Sequence, residues 1–456
     1  MWIYRLIRWL LGLATHVFFR HVAVVGRENV PASGPVVFAG NHPNSLIDPV
    51  LILTTSGRVL SFAAKDVLFK NWLLRGILRA LGAVPIARRE DHGEKAGGDA
   101  NAQAFDAMFA RLASGGAVGI FPEGLSHDQS QLARLKTGTA RLALGAAERA
   151  PTLQVIPTGL TFTQSKRFRS RALIRYGTPL PIDAAAVARW QADPQAEARA
   201  LTERLDAALR QVTVNAEDWE TLRALDAVRR LYQPATVAPA ERNELARRFN
   251  AVYPHVQGDP RVQALLPRVG AFVERCEDAG VTDRDLRRPL GLGAVAWRVV
   301  QTLLVLLVWM PLALPGAVLH APVGVLAAVA GRTLTPRKDV VATTKLVAGL
   351  LLTVVGYAAL LAWIALTQGI GWALLGLAAL PISGLATLRV LDHFVTLRRG
   401  LSRFVRALTL ERELEALRVE RAALANEVIA LVDALRPSDM TPLFPRAATA
   451  ILEDRE

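Results

Sequence analysis

A histidine and an aspartate follow a short apolar run near the start of the chain. The stretch Phe38–Leu53 reads FAGNHPNSLIDPVLIL, and five residues separate His42 from Asp48. Pro43 biases His42 away from helical backbone angles, so His42 is predicted on a turn after a strand. Open α/β sheets place their ligand sites at this end of the strands. There, a carboxylate that fixes the tautomer of an imidazole makes that imidazole a general base.

Both residues also have a purely structural interpretation. Asp48 followed by Pro49 is typical of a helix N-cap with proline at the first helical position. His42 is then a turn histidine with satisfied hydrogen bonds. The sequence offers no nucleophile for the pair, because the neighbours Ser126 and His127 cannot form a relay and there is no G-x-S-x-G elbow. A base at His42 therefore implies a nucleophile that belongs to the substrate.

Three other stretches carry groups that suit an anion. Arg88 and Arg89 end the run LGAVPIARR, and Glu123 and Gly124 end the run GIFPEG. An arginine fork recognises phosphate, and glycine permits close approach of the backbone. Lys136 precedes a predicted helix start, another place that favours anions. Each signal is weak alone, since surface arginines are usually only solvated.

In combination and in this order, the stretches NHPNSLID, GAVPIAR, FPEG and VIPTGL resemble the glycerolipid acyltransferase family, with a PlsC-like domain over roughly residues 20–185. The resemblance implies that His42 is the general base and that Asp48 orients it. It also implies that Arg88, Glu123 and Gly124 bind a phosphorylated acceptor.

The chain departs from the family at one point. The family has four residues between the histidine and the aspartate, and Ile47 occupies the usual aspartate position here. The fungal glycerol-3-phosphate/dihydroxyacetone-phosphate acyltransferases, which this chain resembles most, share the longer spacing. We therefore expect the turn to bulge so that Asp48 reaches His42. The similarity to this subgroup adds these candidates: Ser126, His127, Lys136, Arg167 and Arg169. The run KRFRSR also fits a solvated basic strand or a contact with lipid phosphate.

Composition indicates a membrane protein. The 456 residues are 52% hydrophobic, and the formal net charge is +14. A basic surface suits nucleic acid or an anionic membrane, and the long apolar segments exclude the first. The single cysteine, Cys276, excludes an internal disulfide and a cysteine-rich metal site.

Alternating patterns predict an α/β domain over residues 22–185, in which helices cover a mixed, mostly buried sheet. The predicted strands are HVAVVG, PVVFAG, VLSFAA, AVPIA, AVGIFP, LQVIPTGL and RALIRYG. Residues 1–21 are predicted to form an amphipathic helix in the membrane interface or an ordinary core helix. Residues 186–290 are predicted to form a charged helical extension.

Residues 291–390 are predicted to form a membrane region of two helical hairpins. The segments 346–367 and 370–388 are long enough to span. The segment 299–330 contains three prolines and is expected to be two thin helices or re-entrant. Basic loops flank these segments, which predicts an even number of crossings and a catalytic domain on the cytoplasmic face, at the inner membrane of a bacterium or the endoplasmic reticulum of a eukaryote.

Residues 391–456 are predicted to form an amphipathic helix that is basic at its start, with Arg398, Arg399, Arg403 and Arg406, and its leucines have a 4-3 spacing that ends before Pro437. This pattern predicts either a coiled coil that joins two copies of the chain or a helix packed on its own protein.

The expected activity is transfer of an acyl group from acyl-CoA or acyl carrier protein to glycerol 3-phosphate or dihydroxyacetone phosphate, with no cofactor and no metal. Two alternatives remain: acylation of a lysophospholipid such as lysophosphatidate, and an inactive acyltransferase-like domain that binds lipid. The expected partners are the phosphorylated acceptor, the acyl donor and anionic membrane lipids.

Overall fold

A computed structural model describes residues 2–70, 72–86, 99–234, 236–287, 292–335, 337–409, 411–438, 440–441 and 444. The chain divides into two compact units. The first contains Met1–Asn215 together with the separate segment Thr335–Thr343, and the second contains Ala216–Leu334 and Thr344–Glu456.

The first unit is built on a mixed sheet of eight strands. The strands are β1 Phe19–Val25, β2 Val36–Gly40, β3 Leu60–Lys65, β4 Val84–Ile86, β5 Ala117–Ile120, β6 Gln154–Phe162, β7 Ser170–Tyr176 and β8 Leu180–Pro181. Their order is β1-β7-β6-β2-β5-β3-β4, with β8 beside β6. Neighbours run parallel except for β6 with β7 and β6 with β8. The predicted α/β fold and all seven predicted strands are confirmed.

Strand β2 lies at the centre of this sheet. All five of its residues are buried, which explains its uninterrupted apolar sequence. Ala39 pairs with Ile120 of β5, and Gly40 pairs with Thr158 of β6. Because β2 and β5 are parallel and end at the same level, the segments that follow them emerge side by side.

Helices cover both faces of the sheet. They are α1 Trp2–Phe18, α2 Ile47–Thr55, α3 Trp72–Ala80, α4 Asp99–Ala113, α5 Gly138–Ala147, α6 Ala184–Ala192 and α7 Pro194–Val212. The main core joins residues of β2, β5 and β6 to apolar residues of α4, α5 and α7, with Leu142, Leu144 and Leu209 fully buried.

Helix α1 has two contrasting faces. Tyr4 and Phe18 are buried, and the Tyr4 hydroxyl accepts a hydrogen bond from the backbone of Leu60 at 2.9 Å. Trp2 and Trp9 are 72% and 63% exposed. One face therefore packs on the domain, as a core helix would, while the other presents the aromatic residues of an interfacial helix.

The second unit begins with a helical bundle. Its helices are α8 Trp219–Tyr232, α9 Pro239–Val256, α10 Pro260–Asp278, α11 Asp283–Arg287 and α15 Glu411–Leu435. Leu414, Leu417, Leu424 and Val428 of α15 are buried in the core of this bundle. Arg421, which interrupts the leucine spacing, lies 2.7 Å from Asp283. The apolar face of α15 thus packs on its own chain, as in the second alternative.

Three long apolar helices complete the second unit: α12 Leu292–Thr333, α13 Val341–Gln368 and α14 Ile370–Thr409. Their candidate membrane spans are Val299–Thr333, Lys338–Gln368 and Ile370–Arg398. Large apolar side chains point outwards, including Leu307, Val318 and Leu366 at 74%, 79% and 88% exposure. These helices indicate membrane association.

The prediction of two helical hairpins stays a prediction for the first apolar segment, which the structure describes as one helix. Helix α12 continues through Pro311, Pro315 and Pro322, where the sequence analysis expected breaks. Proline removes one backbone hydrogen bond and kinks a helix without forbidding helical angles. In lipid, a broken helix would leave more backbone N–H and C=O groups without hydrogen bonds. The kinked helix therefore has the lower free energy.

Candidate active site

The turn between β2 and α2 carries His42 and Asp48. The Nδ1 atom of His42 lies 2.9 Å from Oδ2 of Asp48, and the same oxygen accepts a hydrogen bond from the backbone of Asn44 at 2.6 Å. Asp48 is fully buried, and the His42 side chain is 11% exposed. Asp48 is therefore not the helix cap of the structural interpretation, because its carboxylate turns back to His42.

Burial raises the pKa of the Asp48 carboxyl above its ordinary range. The hydrogen bonds from His42 and Asn44 oppose this effect because they stabilise the charged form. The second carboxylate oxygen, Oδ1, has no hydrogen-bond partner among the described residues. The arrangement favours a proton on Nδ1 of His42 and leaves the lone pair of Nε2 for chemistry.

The additional residue between His42 and Asp48 is accommodated at Ser45. Ser45 has a φ of 48°, in the left-handed region that side chains seldom adopt. Ile47, at the usual aspartate position, is fully buried in the core. The turn thus bulges in the way that the longer spacing requires.

Phe121 fixes the plane of the imidazole. Its ring stacks on His42 with a centroid separation of 3.9 Å and an interplanar angle of 8°. Phe121 directly follows β5, beside the turn that follows β2. The sequence analysis gave this residue no role, although it is the first residue of the FPEG motif and directly follows a strand.

Glu123 links the two loops of the site. It is 1% exposed. Its Oε1 accepts from the backbone of His42 at 2.9 Å, and its Oε2 accepts from the backbone of Ala133 at 2.8 Å and from Nε2 of His127. The backbone of His127 in turn donates to the carbonyl of His42 at 3.1 Å. Both oxygens of this carboxylate thus accept hydrogen bonds from the protein, and the expected role of Glu123 in binding substrate stays a prediction.

The hydrogen bond with Glu123 raises the pKa of His127, against the opposing effect of burial. Asp339 and Asp128 add smaller electrostatic contributions in the same direction. The protonated form of His127 is therefore favoured more than in a free histidine.

Gly124 and Ser126 lie in the loop that follows β5, and each makes a close contact there. Gly124 has a φ of 72°, and a Cβ atom there would lie 2.9 Å from the Lys136 side chain. The Lys136 side chain therefore passes directly over the Gly124 backbone. Ser126 Oγ accepts a hydrogen bond from the backbone of Ser45 at 3.0 Å, which again joins the two loops.

His42 and Glu123 line a small polar pocket that is open to solvent. Its wall continues through the polar residues His127, Gln129 and Asn215. Among the described residues, no cluster of three or more His, Cys, Asp or Glu side chains could hold a metal ion.

Comparison with known proteins finds two family models that match parts of this chain. The family model described as Acyltransferase matches residues 21–161, the range that holds both loops of the site. Residues 21–161 are therefore similar to the acyltransferase family. The model described as Glycerol-3-phosphate acyltransferase 2 C-terminal domain matches residues 224–440. The second match covers residues that follow the first along the chain.

Two relatives come from Saccharomyces cerevisiae. Glycerol-3-phosphate O-acyltransferase 2 is 26% identical over 78% of this chain and 64% of its own length. Glycerol-3-phosphate O-acyltransferase 1 is 26% identical over 71% of this chain and 55% of its own length. The chain therefore spans less than two thirds of either relative.

Among solved structures, the 1-acyl-sn-glycerophosphate acyltransferase PlsC from Thermotoga maritima shows limited similarity. Its TM-score is 0.35 and its identity is 20%, over 46% of this chain and 78% of the solved chain.

The remaining candidates of the acyltransferase domain are four arginines. Arg88 and Arg89 lie outside the described residues. Arg169 has a φ of 61° and donates to the carbonyls of His16 and Val17 at 3.1 and 3.3 Å, so it caps the end of α1. Arg167 donates to the Gln164 side chain at 3.2 Å within its own loop.

Proposed function

We propose that this chain is a membrane-bound O-acyltransferase of glycerolipid synthesis, which transfers a fatty acyl group to glycerol 3-phosphate or dihydroxyacetone phosphate. The observation that carries the proposal is the buried Asp48 carboxylate on Nδ1 of His42. Its position within a recognised acyltransferase domain supports the reaction type. The names of the two yeast relatives and the match over residues 224–440 support the acceptor.

His42 acts as the general base. Asp48 holds the proton on Nδ1, so that Nε2 takes a proton from the acceptor hydroxyl. The hydroxyl oxygen then attacks the thioester carbonyl of acyl-CoA or acyl carrier protein. As the C–O bond forms and the C–S bond breaks, the imidazolium returns its proton to the leaving thiolate. The products are an ester and a free thiol.

The surroundings of His42 serve this cycle. Phe121 restricts rotation of the ring, and the buried Asp48 stabilises the imidazolium that forms during attack. Glu123 positions the backbone of His42 rather than the acceptor. We assign the acceptor phosphate to Arg88 and to the backbone near Gly124 and Lys136, because a charged fork and a glycine backbone suit phosphate.

The catalytic domain lies on the cytoplasmic face of the membrane. Arg332, Arg337, Lys338 and Lys345 flank the connection between the first two apolar helices, and basic connections remain on that side. The exposed aromatic face of α1 gives the domain a further contact with the lipid surface.

Activity measurements on the purified full-length chain test the proposal. The protein is incubated in nanodiscs with labelled acyl-CoA or acyl carrier protein, and with glycerol 3-phosphate, dihydroxyacetone phosphate or lysophosphatidate. We expect ester product with a three-carbon phosphate. The variant His42→Ala should lose about a hundredfold or more in kcat while the protein remains folded. His21→Ala, on the exposed part of β1, is the matched control.

Other outcomes separate the alternatives. Product with lysophosphatidate alone would move the acceptor to the lysophospholipid class. Absence of product with every acceptor and both donors, from protein that still binds lipid vesicles, would leave an inactive lipid-binding protein.

A further inference from the structure

The connection between the apolar helices α12 and α13 belongs to the first compact unit. Thr335–Thr343 groups with the acyltransferase domain, although the helices on either side of it belong to the second unit. Asp339 and Thr343 are each 6% exposed, and Ala342 is fully buried. A solvated connection between two membrane helices would not bury these residues.

Arg337 joins this segment to the Glu123 loop. Its Nη2 atom donates to the carbonyl oxygen of Ser126 at 2.8 Å. The same guanidinium group lies 2.8 and 3.2 Å from the two carboxylate oxygens of Asp339. Asp339 is thus a buried partner that fixes the orientation of Arg337, while the Arg337 side chain stays 52% exposed.

The carbonyl of Ser126 and the N–H of His127 belong to one peptide group. That N–H donates to the carbonyl oxygen of His42 at 3.1 Å. A continuous line of hydrogen bonds therefore runs from the Arg337 guanidinium, through this peptide group, to the backbone of His42. A cation at one end polarises the peptide group and strengthens the bond at the other end.

The opposite end of the segment contacts the His42 turn. The Thr343 hydroxyl lies 3.4 Å from the carbonyl oxygen of Asn44, whose N–H donates to Asp48. Asn44 also holds the carbonyl of Ser165 through its side chain, at 3.2 Å. The segment thus contacts both loops that carry the site.

We propose that Thr335–Thr343 is a third loop of the active site and that Arg337 is a positioning residue for His42. This inference rests on the proposed acyl transfer. Arg337 acts through the Ser126–His127 peptide group and does not contact the acceptor. Arg337 lies between two apolar helices, far along the chain from the acyltransferase domain, and it then contributes to kcat.

Steady-state kinetics of four full-length proteins test this role. They are the wild type and the variants Arg337→Ala, Arg337→Lys and Lys338→Ala. Lys338 is exposed and directly follows Arg337. Lys338→Ala therefore removes one positive charge but keeps the contact between Arg337 and Ser126. We expect Arg337→Ala to lose tenfold or more in kcat, with KM for acceptor and donor within twofold of wild type. Arg337→Lys keeps the charge but cannot bridge Asp339 and Ser126 with one planar group, so it should recover only part of kcat.

Hydrogen–deuterium exchange supplies a second readout that does not depend on activity. Arg337→Ala should speed exchange in peptides that cover residues 41–48 and 122–130, because the His127 N–H loses its fixed orientation. Lys338→Ala should leave both peptides unchanged.

The outcomes distinguish this inference from the proposed function. A wild type without activity on any acceptor removes the proposed function. An active wild type with Arg337→Ala equal to Lys338→Ala in kcat and exchange removes the positioning role alone. A rise in KM for the acceptor at unchanged kcat would make Arg337 a phosphate ligand and would also overturn the inference.

Discussion

Asp48 reaches His42 at 2.9 Å across a turn that is one residue longer than the usual acyltransferase spacing. The additional residue does not displace the carboxylate, because Ser45 takes up the extra length in a left-handed conformation. Asp48 then enters the first turn of α2 with its side chain directed back over the turn, and Ile47 fills the core. The geometry of a histidine–aspartate pair is thus kept despite the altered spacing.

Replacement of this carboxylate should impair catalysis more than stability. We expect Asp48→Asn to lower kcat by about a hundredfold, because an amide cannot stabilise the imidazolium and permits the wrong tautomer. Ile47→Asp should not rescue that variant, since residue 47 points into the core. Acyl transfer by purified variants measures both effects, and Asp106→Asn, on the exposed face of α4, serves as control. Full turnover by Asp48→Asn would contradict the general-base mechanism.

Glu123 should behave as a structural link rather than a substrate ligand. Its two oxygens accept bonds from His42, Ala133 and His127 within the protein. We expect Glu123→Gln to lower kcat and the unfolding temperature, because an amide cannot accept at both positions. The KM for the phosphorylated acceptor should change less than twofold. A large rise in that KM, with normal thermal unfolding, would return Glu123 to a direct role in binding.

Arg88 should show the opposite pattern. If it binds the phosphate, Arg88→Ala removes a charge-assisted contact that is worth about 1.5–3 kcal/mol. We expect KM for the acceptor to rise at least tenfold while KM for the acyl donor stays unchanged. Initial rates with each substrate varied in turn measure the two constants. Equal effects on both substrates would indicate a structural role for Arg88.

The sequence predicts the acyltransferase domain well and its connections poorly. Strand β2 and its neighbours are apolar runs of ordinary length, so periodicity alone finds them. The strand β8 has only two residues, too few for any pattern. Asp48 followed by Pro49 fits both a helix N-cap and a carboxylate that contacts His42. The local sequence is the same in both cases, so it does not distinguish them.

Contacts between distant residues have no local signal. Arg337 and Ser126 are 211 positions apart, and neither lies in a periodic segment that would place it against the other. The stacking of Phe121 on His42 likewise depends on the neighbouring positions of β2 and β5 in the sheet. Only the order of the strands, which the sequence does not reveal, brings these residues together.

Stability should depend on pH through His127. Its folded pKa is raised above the unfolded value of about 6.5 by the bond to Glu123. The stabilisation from protonated His127 is therefore complete below about pH 6.5 and is lost as pH rises through the folded pKa. We expect His127→Gln to cost about 1.5–3 kcal/mol in unfolding free energy at pH 6, and progressively less at higher pH.

Denaturant unfolding at several pH values measures this difference for His127→Gln, with His21→Gln as the control on the exposed part of β1. A difference between wild type and His127→Gln that grows with pH would show that the sign is reversed and that His127 is neutral in the folded protein.

Helix α12 should enter and leave the membrane on the same face. The chain passes from the acyltransferase domain to α12 through residues 216–287, whose described helices contain no candidate span. The segment at the far end of α12 packs with the acyltransferase domain. We therefore expect both ends of α12 on the same face of the membrane, with a re-entrant path bent at its prolines. Helices α13 and α14 would then supply two crossings, which keeps the total even as the basic connections predict.

Labelling of single cysteines tests this topology. In a Cys276→Ala background, the exposed positions Trp297→Cys and Leu334→Cys mark the two ends of α12, and Gln368→Cys marks the turn between α13 and α14. A maleimide that cannot cross membranes is applied to sealed vesicles of known orientation. We expect Trp297→Cys and Leu334→Cys to react with the maleimide from the same face of the membrane, and Gln368→Cys only from the other face.

The background protein, which has no cysteine, should not react. Reaction of Trp297→Cys and Leu334→Cys from opposite faces would make α12 a full crossing, and would detach Thr335–Thr343 from the acyltransferase domain.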